Sequence, residues 1–214
     1  MPIDLRALVE PSHTALVTQE CQGGVIGPQA ALPDLAATAA AVGMVDNIAA
    51  LAKAARAAGL PVLHGVADRR PDGRGGNRNA RLFMAMRKPG RVPAGGGDAG
   101  GALGAGFAEV VPEIGVEESD IVVARLHGLS PMADTGLDPI LRNLGVTTIV
   151  GVGVSINVAM TNFAFDAVNA GFQFVLPRDA VAGVPADYAE AVIANTLSLV
   201  ATVTTTDDLL AAWS

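Results

Sequence analysis

The feature that most constrains the fold of this chain is the alternation of short apolar runs with longer segments in which Ala, Leu, Val and Met recur at helical spacing. Apolar runs separated by helices are typical of a parallel sheet that is covered on both faces. The predicted strands are 14–20, 61–67, 120–125, 147–153, 172–177 and 201–205. The predicted helices are 33–58, 135–143, 157–170 and 186–199, followed by a short terminal helix. The sequence therefore predicts an α/β fold, with a doubly wound, mostly parallel six-stranded sheet in one three-layer α/β/α domain over 1–214.

Composition limits the partners of such a domain. Half of the 214 residues are apolar, 16% are charged, and the formal net charge is −7, which disfavours binding to nucleic acid or to an anionic membrane. No apolar run reaches the length of a membrane span, the first residues lack the pattern of a signal peptide, and a single cysteine, Cys21, excludes an intrachain disulfide. We therefore expect a cytoplasmic protein with neither nucleic acid nor a membrane as partner.

Basic side chains are concentrated in one Gly-rich segment at about 68–105. Eight of the fourteen Lys and Arg residues lie between Arg69 and Arg91. Two interpretations stay open for this segment. It is either a solvated excursion, which is the usual fate of a charged run, or a lid or subunit-contact loop that attracts a carboxylate or a phosphate.

Polar side chains follow the predicted strands at the ends where open α/β sheets bind ligands. Because the carboxyl ends of parallel strands meet at one edge, these side chains are predicted to surround a site for a small-molecule substrate. They are Glu20 and Gln22 after the first strand, His64 from the second, Arg125 and His127 after the third, and Ser155 and Asn157 after the fourth. A purely structural, hydrogen-bonding role stays open for His64. His127 lies two residues beyond Arg125, so on an extended chain both side chains face the same cavity.

Motifs at three of these strand ends carry a resemblance to a known family. The first strand reads TALVTQECQ, the third is followed by ARLHGLSPMADTGLD, and the turn after the fourth reads GVSINVAMTNFAFDA. With these stretches the chain resembles the isochorismatase-like hydrolase superfamily, also called the cysteine hydrolase family, from Thr14 to Trp213. The resemblance implies three catalytic positions, which the family fills with aspartate, lysine and a nucleophilic cysteine. The corresponding residues in this chain are Glu20, Arg125 and Ala159.

The exchange of cysteine for alanine changes the chemistry that the resemblance implies. A cysteine amidohydrolase needs a thiolate to attack the carbonyl, and alanine provides none. Cys21 is not expected to replace it, because successive strand side chains point to opposite faces and Glu20 is its neighbour. The isochorismatase branch cleaves an enol ether with a carboxylic acid and water, without a thiol. In that mechanism Glu20 is the implied proton donor.

Two roles stay open for Glu20 together with Arg125. Arginine pairs bidentately with carboxylates, so Arg125 either holds Glu20 ionised or clamps an acidic substrate. In the first case Glu20 suits a base that activates water, and in the second it suits an acid.

The resemblance also implies a non-proline cis peptide at the turn, which by position is Val154–Ser155. This turn is expected to direct the amides near Val158 and Ala159 into the site, where they favour a negative oxygen. The family's metal-binding Asp-x-His pattern is not met by Asp68-Arg69-Arg70, so neither a metal nor another cofactor is predicted. The predicted substrate-binding residues are Gln22, His64, His127, Ser155, Asn157 and Val158.

The sequence thus predicts an isochorismatase-like hydrolase that acts on a small, anionic molecule by acid–base chemistry with water. Two alternatives stay open: a cysteine amidohydrolase whose nucleophile has been replaced by alanine, and a non-catalytic binding protein that keeps the pocket. Members of the family are commonly dimers or larger, so we expect at least a homodimer.

Overall fold

A parallel sheet lies between two layers of helices in the computed structural model of the chain, which describes residues 3–28, 30–70, 72–85 and 106–214. The strands run in the order β3-β2-β1-β4-β5-β7, β6 pairs with the end of β4, and all these pairings are parallel. This arrangement confirms the predicted doubly wound α/β fold. The strands are β1 (Thr14–Gln19), β2 (Val62–Ala67), β3 (Ile121–Arg125), β4 (Thr148–Val154), β5 (Gln173–Pro177), β6 (Val181–Ala182) and β7 (Thr202–Thr204).

The helices cover both faces of this sheet. They are α1 (Leu5–Leu8), α2 (Pro33–Ala41), α3 (Met44–Ala57), α4 (Arg81–Ala85), α5 (Leu137–Asn143), α6 (Thr161–Asn169), α7 (Ala186–Asn195) and α8 (Thr206–Trp213). Helices α2, α3 and α8 pack in one core, where Leu51 is fully buried. Helices α5, α6 and α7 pack in the other core, where Phe163 is fully buried.

The central strand β1 shows why the predicted runs are apolar at consecutive positions. Ala15 and Val17 belong to the core with α5, α6 and α7, whereas Leu16 between them belongs to the core with α2, α3 and α8. Because strand side chains alternate, the next two residues continue the pattern: Thr18 faces the α3 side and Gln19 faces the other. The two sides of this strand end carry different polar groups, and they form two different environments.

The structure departs from the predicted elements at three places. The predicted helix 33–58 is two helices, because Gly43 has φ 67° in the left-handed region and ends the first of them. The helix predicted over 157–170 begins instead with a π-helical turn at Ile156–Met160. The sheet gains a seventh strand, Val181–Ala182, which is too short to produce a recognisable alternating pattern.

Within the described residues no single helix is long and apolar enough to cross a membrane. The bent pair Pro33–Ala41 and Met44–Ala57, with 66° between its helices, passes that test by length and composition. Its apolar side chains, among them Leu35 and Ile48, are buried in the core beside the sheet. Of the predicted basic segment at about 68–105, residues 68–70 and 72–85 are described, including α4, and the rest lies outside the described residues.

Candidate active site

A cavity of about 650 Å³ lies at the carboxyl ends of β1, β3 and β4, the edge at which the sequence predicted a ligand site. Glu20, Arg125 and Ala159 all line it, although they are far apart in the sequence. Four predicted substrate-binding residues line it as well: His127, Ser155, Asn157 and Val158. Parallel strands bring these residues together because each of them follows the end of a strand.

Glu20 and Arg125 form an ion pair in the wall of this cavity. Glu20 directly follows β1, with φ 54° in the left-handed region, and its amide donates a hydrogen bond to the Gly65 carbonyl at 2.8 Å. Arg125 ends β3, and its Nη2 donates to Glu20 Oε1 and to the Leu129 carbonyl at 3.4 Å. The Arg125 side chain is 2% exposed and that of Glu20 is 20% exposed. Solvent and ligands therefore reach the carboxylate more readily than the guanidinium.

Two opposing effects act on the pKa of Glu20. Burial raises the pKa of the Glu20 carboxyl above its ordinary value, and the charge and hydrogen bond of Arg125 offset only part of this effect. A non-glycine residue in the left-handed region is uncommon and is found disproportionately at functional sites. Glu20 thus combines an unusual backbone, partial exposure in a cavity and a raised pKa.

The Arg125 guanidinium has unpaired donors among the described residues. Its Nε and Nη1 atoms are buried and have no hydrogen-bond partner among the described residues. Within the described part of the chain Nη2 alone is bonded, to Glu20 and to Leu129. A guanidinium with unused N–H groups suits a planar oxyanion such as a carboxylate.

The turn after β4 supplies the wall opposite the ion pair. Ala159 is 4% exposed and lines the cavity from the π-helical turn Ile156–Met160. The Val154–Ser155 peptide is cis, at the place that the family resemblance implied. The Val158 amide donates to the Ser155 carbonyl at 3.2 Å, so the expectation that this amide points into the site is wrong. Asn157 Nδ2 donates to the Val184 carbonyl at 3.1 Å, which ties the turn to another wall residue.

Cys21 does not belong to the cavity. It is fully buried in the core with α2, α3 and α8, and its Sγ lies 3.7 Å from the Gln19 carbonyl oxygen. Burial, reinforced by the nearby charge of Glu20, raises the pKa of the Cys21 thiol to about 12. At neutral pH this thiol is protonated and has no access to a ligand in the cavity.

Gln22, predicted to bind substrate, instead connects two segments of the chain. Its Nε2 donates to the carbonyls of Ala67 at 2.7 Å and Phe107 at 3.0 Å, and its Oε1 accepts from the Ala67 amide at 2.7 Å. The side chain is buried and is not part of the cavity lining. Its side chain thus connects the end of β2 with the loop that carries Phe107, which does line the cavity.

His64, also predicted to bind substrate, lies in the body of β2 rather than at its end. It is fully buried, with Nδ1 2.9 Å from Thr18 Oγ1 and Nε2 3.3 Å from Asp120 Oδ2. Burial lowers the pKa of His64, while Asp120 acts in the opposite direction. The structure therefore gives His64 the hydrogen-bonding role that the sequence left open, on the face of the sheet that packs against α3.

Sequence reasoning missed most of the apolar wall. Val25, Leu32, Phe83 and Phe107 line the cavity from segments that carry no strong periodic pattern. Three arginines of the basic segment also line it, namely Arg69, Arg70 and Arg74. Arg70 forms an exposed ion pair with Asp72 at 3.0 Å. Among the described residues no group of three or more His, Cys, Asp and Glu side chains is arranged to hold a metal ion.

The fold and this site define the class of the protein, a doubly wound α/β domain with its cavity at a switch in strand order. The isochorismatase domain model matches residues 14–208, so the chain belongs to the isochorismatase family. Over 89 residues the chain is 37% identical to the uncharacterized isochorismatase family protein YwoC of Bacillus subtilis (strain 168). That match covers 42% of this chain and 46% of the relative, so it spans about half of the length of the curated protein.

Solved structures extend the likeness over the whole fold. A cysteine hydrolase from Pseudomonas syringae pv. phaseolicola 1448A is 25% identical, with a TM-score of 0.80 over 96% of this chain and 94% of its own. An isochorismatase family protein from Burkholderia thailandensis is 25% identical, with a TM-score of 0.74 over 94% and 96% of the two chains. The predicted family is confirmed.

Proposed function

We propose that this protein hydrolyses a small, anionic molecule by acid–base chemistry with water, and that no cysteine nucleophile takes part. The observation that carries the proposal is the position of the Glu20 carboxylate, which shares the cavity with Arg125 and Ala159 while Cys21 is buried outside it. A carboxylate of this kind can transfer a proton, whereas the methyl group of Ala159 cannot attack a substrate.

In this proposal Glu20 acts first as an acid and then as a base. With an enol ether, the protonated carboxyl donates its proton to the vinyl carbon, which gives an oxocarbenium ion. Water adds to this ion and returns a proton to the Glu20 carboxylate. The hemiketal then collapses to a ketone and the leaving alcohol, so the enzyme ends as it began. The raised pKa of Glu20 supports this order, because an acid works best when its pKa lies near the working pH.

Arg125 has the role of holding the negative group of the substrate. Its place in the cavity lining supports this role, since the charge of a guanidinium attracts a planar anion. The apolar residues Leu32 and Phe83 in the cavity wall favour a ligand whose remainder is hydrophobic. The substrate class is therefore a small carboxylate with an apolar body.

The test is a hydrolysis screen with small carboxylates that carry an enol ether, an ester or an amide bond. Wild-type protein is compared with Glu20→Gln, with Cys21→Ala and with Glu113→Gln, which removes an exposed carboxylate. We expect turnover of at least one compound, retained in Cys21→Ala and Glu113→Gln and reduced by a factor of about 10³ in Glu20→Gln. Turnover that survives in Glu20→Gln would contradict the proposal.

The same screen separates enzyme from binding protein. A non-catalytic protein that keeps the pocket binds benzoate in calorimetric titration, loses that binding in Arg125→Ala, and turns over none of the compounds. That combination of results would replace the proposed hydrolase with the binding alternative.

A further inference from the structure

Gln19 is a buried amide that neither the cavity lining nor the predicted site includes. It is the last residue of β1, immediately before Glu20, and it is fully buried. On this face of β1 the preceding side chains are those of Ala15 and Val17, both in the apolar core. A polar amide in such a position is costly unless its groups are hydrogen-bonded, by about 1–3 kcal/mol for each unpaired group.

The amide of Gln19 is bonded to the carbonyl that also holds Arg125. Gln19 Nε2 donates to the Leu129 oxygen at 3.2 Å, and Arg125 Nη2 donates to the same oxygen at 3.4 Å. Nη2 is also the atom that donates to Glu20. One carbonyl therefore links the buried amide to the guanidinium, and the guanidinium to the carboxylate.

The neighbouring strand leaves room for this amide. Gly65 of β2 is the register partner of Gln19, and a Cβ at Gly65 would lie 3.3 Å from Gln19 Oε1 and 2.8 Å from the Pro131 Cβ. A larger residue would thus press on both the amide and the loop after Leu129. Gln19 Oε1 has no hydrogen-bond partner among the described residues, so the specific bond that the side chain makes is the one to Leu129.

We infer that Gln19 is a positioning residue for the ion pair of Glu20 and Arg125, and that it acts through the Leu129 carbonyl. The Gln19 amide holds the Leu129 oxygen in position. Arg125 Nη2 donates to that oxygen and also to Glu20. The effect on the ion pair stands on this geometry alone. Only its consequence for turnover rests on the proposed function.

The experiment follows the ionisation of Glu20 by NMR, with ¹³C-labelled glutamate and the resonance assigned from Glu20→Gln. Gln19→Met keeps the volume of the side chain and removes the donor to Leu129. We expect the midpoint of the Glu20 titration to move upward, because a guanidinium that is no longer held in place stabilises the carboxylate less. If Gln19→Met does not fold, Gln19→Leu carries the same expectation.

Thr18→Val is the matched control on the opposite face of the same strand. Thr18 is buried and its hydroxyl lies 2.9 Å from His64 Nδ1, so its loss lowers the free energy of unfolding without touching the pair. We expect an unchanged Glu20 midpoint in this variant. A Glu20 midpoint that stays at the wild-type value in both Gln19 variants, with only their stability lowered, would overturn the inference.

Turnover provides a separate readout. We expect the pH at which kcat falls to move upward in Gln19→Met together with the Glu20 midpoint, because Glu20 acts as an acid in the proposed function. If Glu20→Gln turns out to be active, the proposed function fails while the titration still tests Gln19. If Glu20→Gln is inactive and the titration does not move, only the inference about Gln19 fails.

Discussion

Two pairs of an arginine and a carboxylate lie at the two ends of β3, on opposite faces of the sheet, and their surroundings differ. Asp120 is 1% exposed, and its oxygens accept from Arg56 Nε at 3.2 Å, from Arg56 Nη2 at 2.7 Å and from the Glu117 amide at 2.8 Å, with His64 Nε2 at 3.3 Å. Glu20 is 20% exposed in the cavity and accepts from Arg125 Nη2.

The pKa values of the two acids move in opposite directions for this reason. Burial acts to raise the pKa of Asp120, but Arg56, the Glu117 amide and His64 outweigh it and lower the pKa. Burial also raises the pKa of Glu20, and Arg125 alone does not reverse the effect. A carboxylate with every acceptor site filled is part of the framework, whereas one with few partners and access to solvent can exchange a proton.

The largest expected difference between the two pairs is in stability. Asp120→Asn replaces one acceptor oxygen by an NH2 group that faces the donors of Arg56 or the Glu117 amide. Arg56 keeps its ion pair with Glu117 at 3.4 Å, and we expect a loss of about 3 kcal/mol in the free energy of unfolding. Glu20→Gln still offers an acceptor to Arg125 beside an open cavity, so its cost is about 1 kcal/mol. Urea denaturation of both variants at neutral pH checks the order. Equal losses would mean that both pairs belong to the framework.

A smaller difference between the two pairs is expected in kcat/KM. Arg125→Ala removes the proposed anion contact and lowers kcat/KM about a hundredfold, whereas Arg125→Lys keeps the charge and lowers it about tenfold. The matched change Arg56→Lys weakens the pair on the other face and leaves kcat/KM of the folded protein unchanged. A loss of kcat/KM in Arg56→Lys as large as that in Arg125→Lys would remove the distinction.

The sequence predicted the pair in the cavity better than the pair on the other face of the sheet. Glu20, Arg125 and Ala159 each follow a strand, and the ends of parallel strands converge, so their shared cavity follows from topology. His64 and Asp120 are 56 residues apart, and nothing in either segment indicates that one bonds the other. A histidine near the end of a strand gives the same pattern whether it faces a ligand or a buried carboxylate.

Sequence patterns also do not reveal which side chains bond distant backbone atoms. Gln22 lies 45 residues from Ala67, whose amide and carbonyl it binds, and this pairing depends on where the intervening chain returns. The sequence marks Gln19 as unusual, since it is a polar residue on a strand face otherwise lined by Ala15 and Val17. This pattern could have identified it as a buried polar group. Its partner is a carbonyl, which no sequence pattern marks.

The contribution of His64 to the free energy of unfolding depends on pH in a predictable direction. Burial lowers the pKa of His64 below its ordinary value of 6.5, so the unfolded chain binds more protons between that lowered pKa and 6.5. The stability is therefore fully present above pH 6.5 and is lost as pH falls through this window. Urea denaturation from pH 7.5 downward measures the slope, and His64→Gln is expected to remove it. A slope unchanged in His64→Gln would assign it to other groups.

The smallest expected effect is that of adding a thiol. Ala159→Cys alone leaves amidase activity at the level of the Ala159→Ser control, because Glu20 is one methylene longer than aspartate and already accepts from Arg125. In a separate experiment, iodoacetamide is expected to leave Cys21 of the native protein unmodified for hours, since this thiol is buried with a pKa of about 12. An amide-hydrolysis assay measures the activity of Ala159→Cys, and mass spectrometry detects any modification of Cys21. A rapid amidase from the single change to cysteine would identify the site as that of a cysteine hydrolase.

The central claim, that Glu20 works as an acid in a site without a thiol, is tested most directly by the pH dependence of kcat/KM on a substrate from the screen. The carboxyl is protonated below its pKa, which burial raises above the ordinary 4.5. We therefore expect kcat/KM to fall as pH rises through that raised pKa, and Cys21→Ala to give the same curve. A kcat/KM that rises with pH over this range would show that the ionised carboxylate is the working form, and would contradict the account.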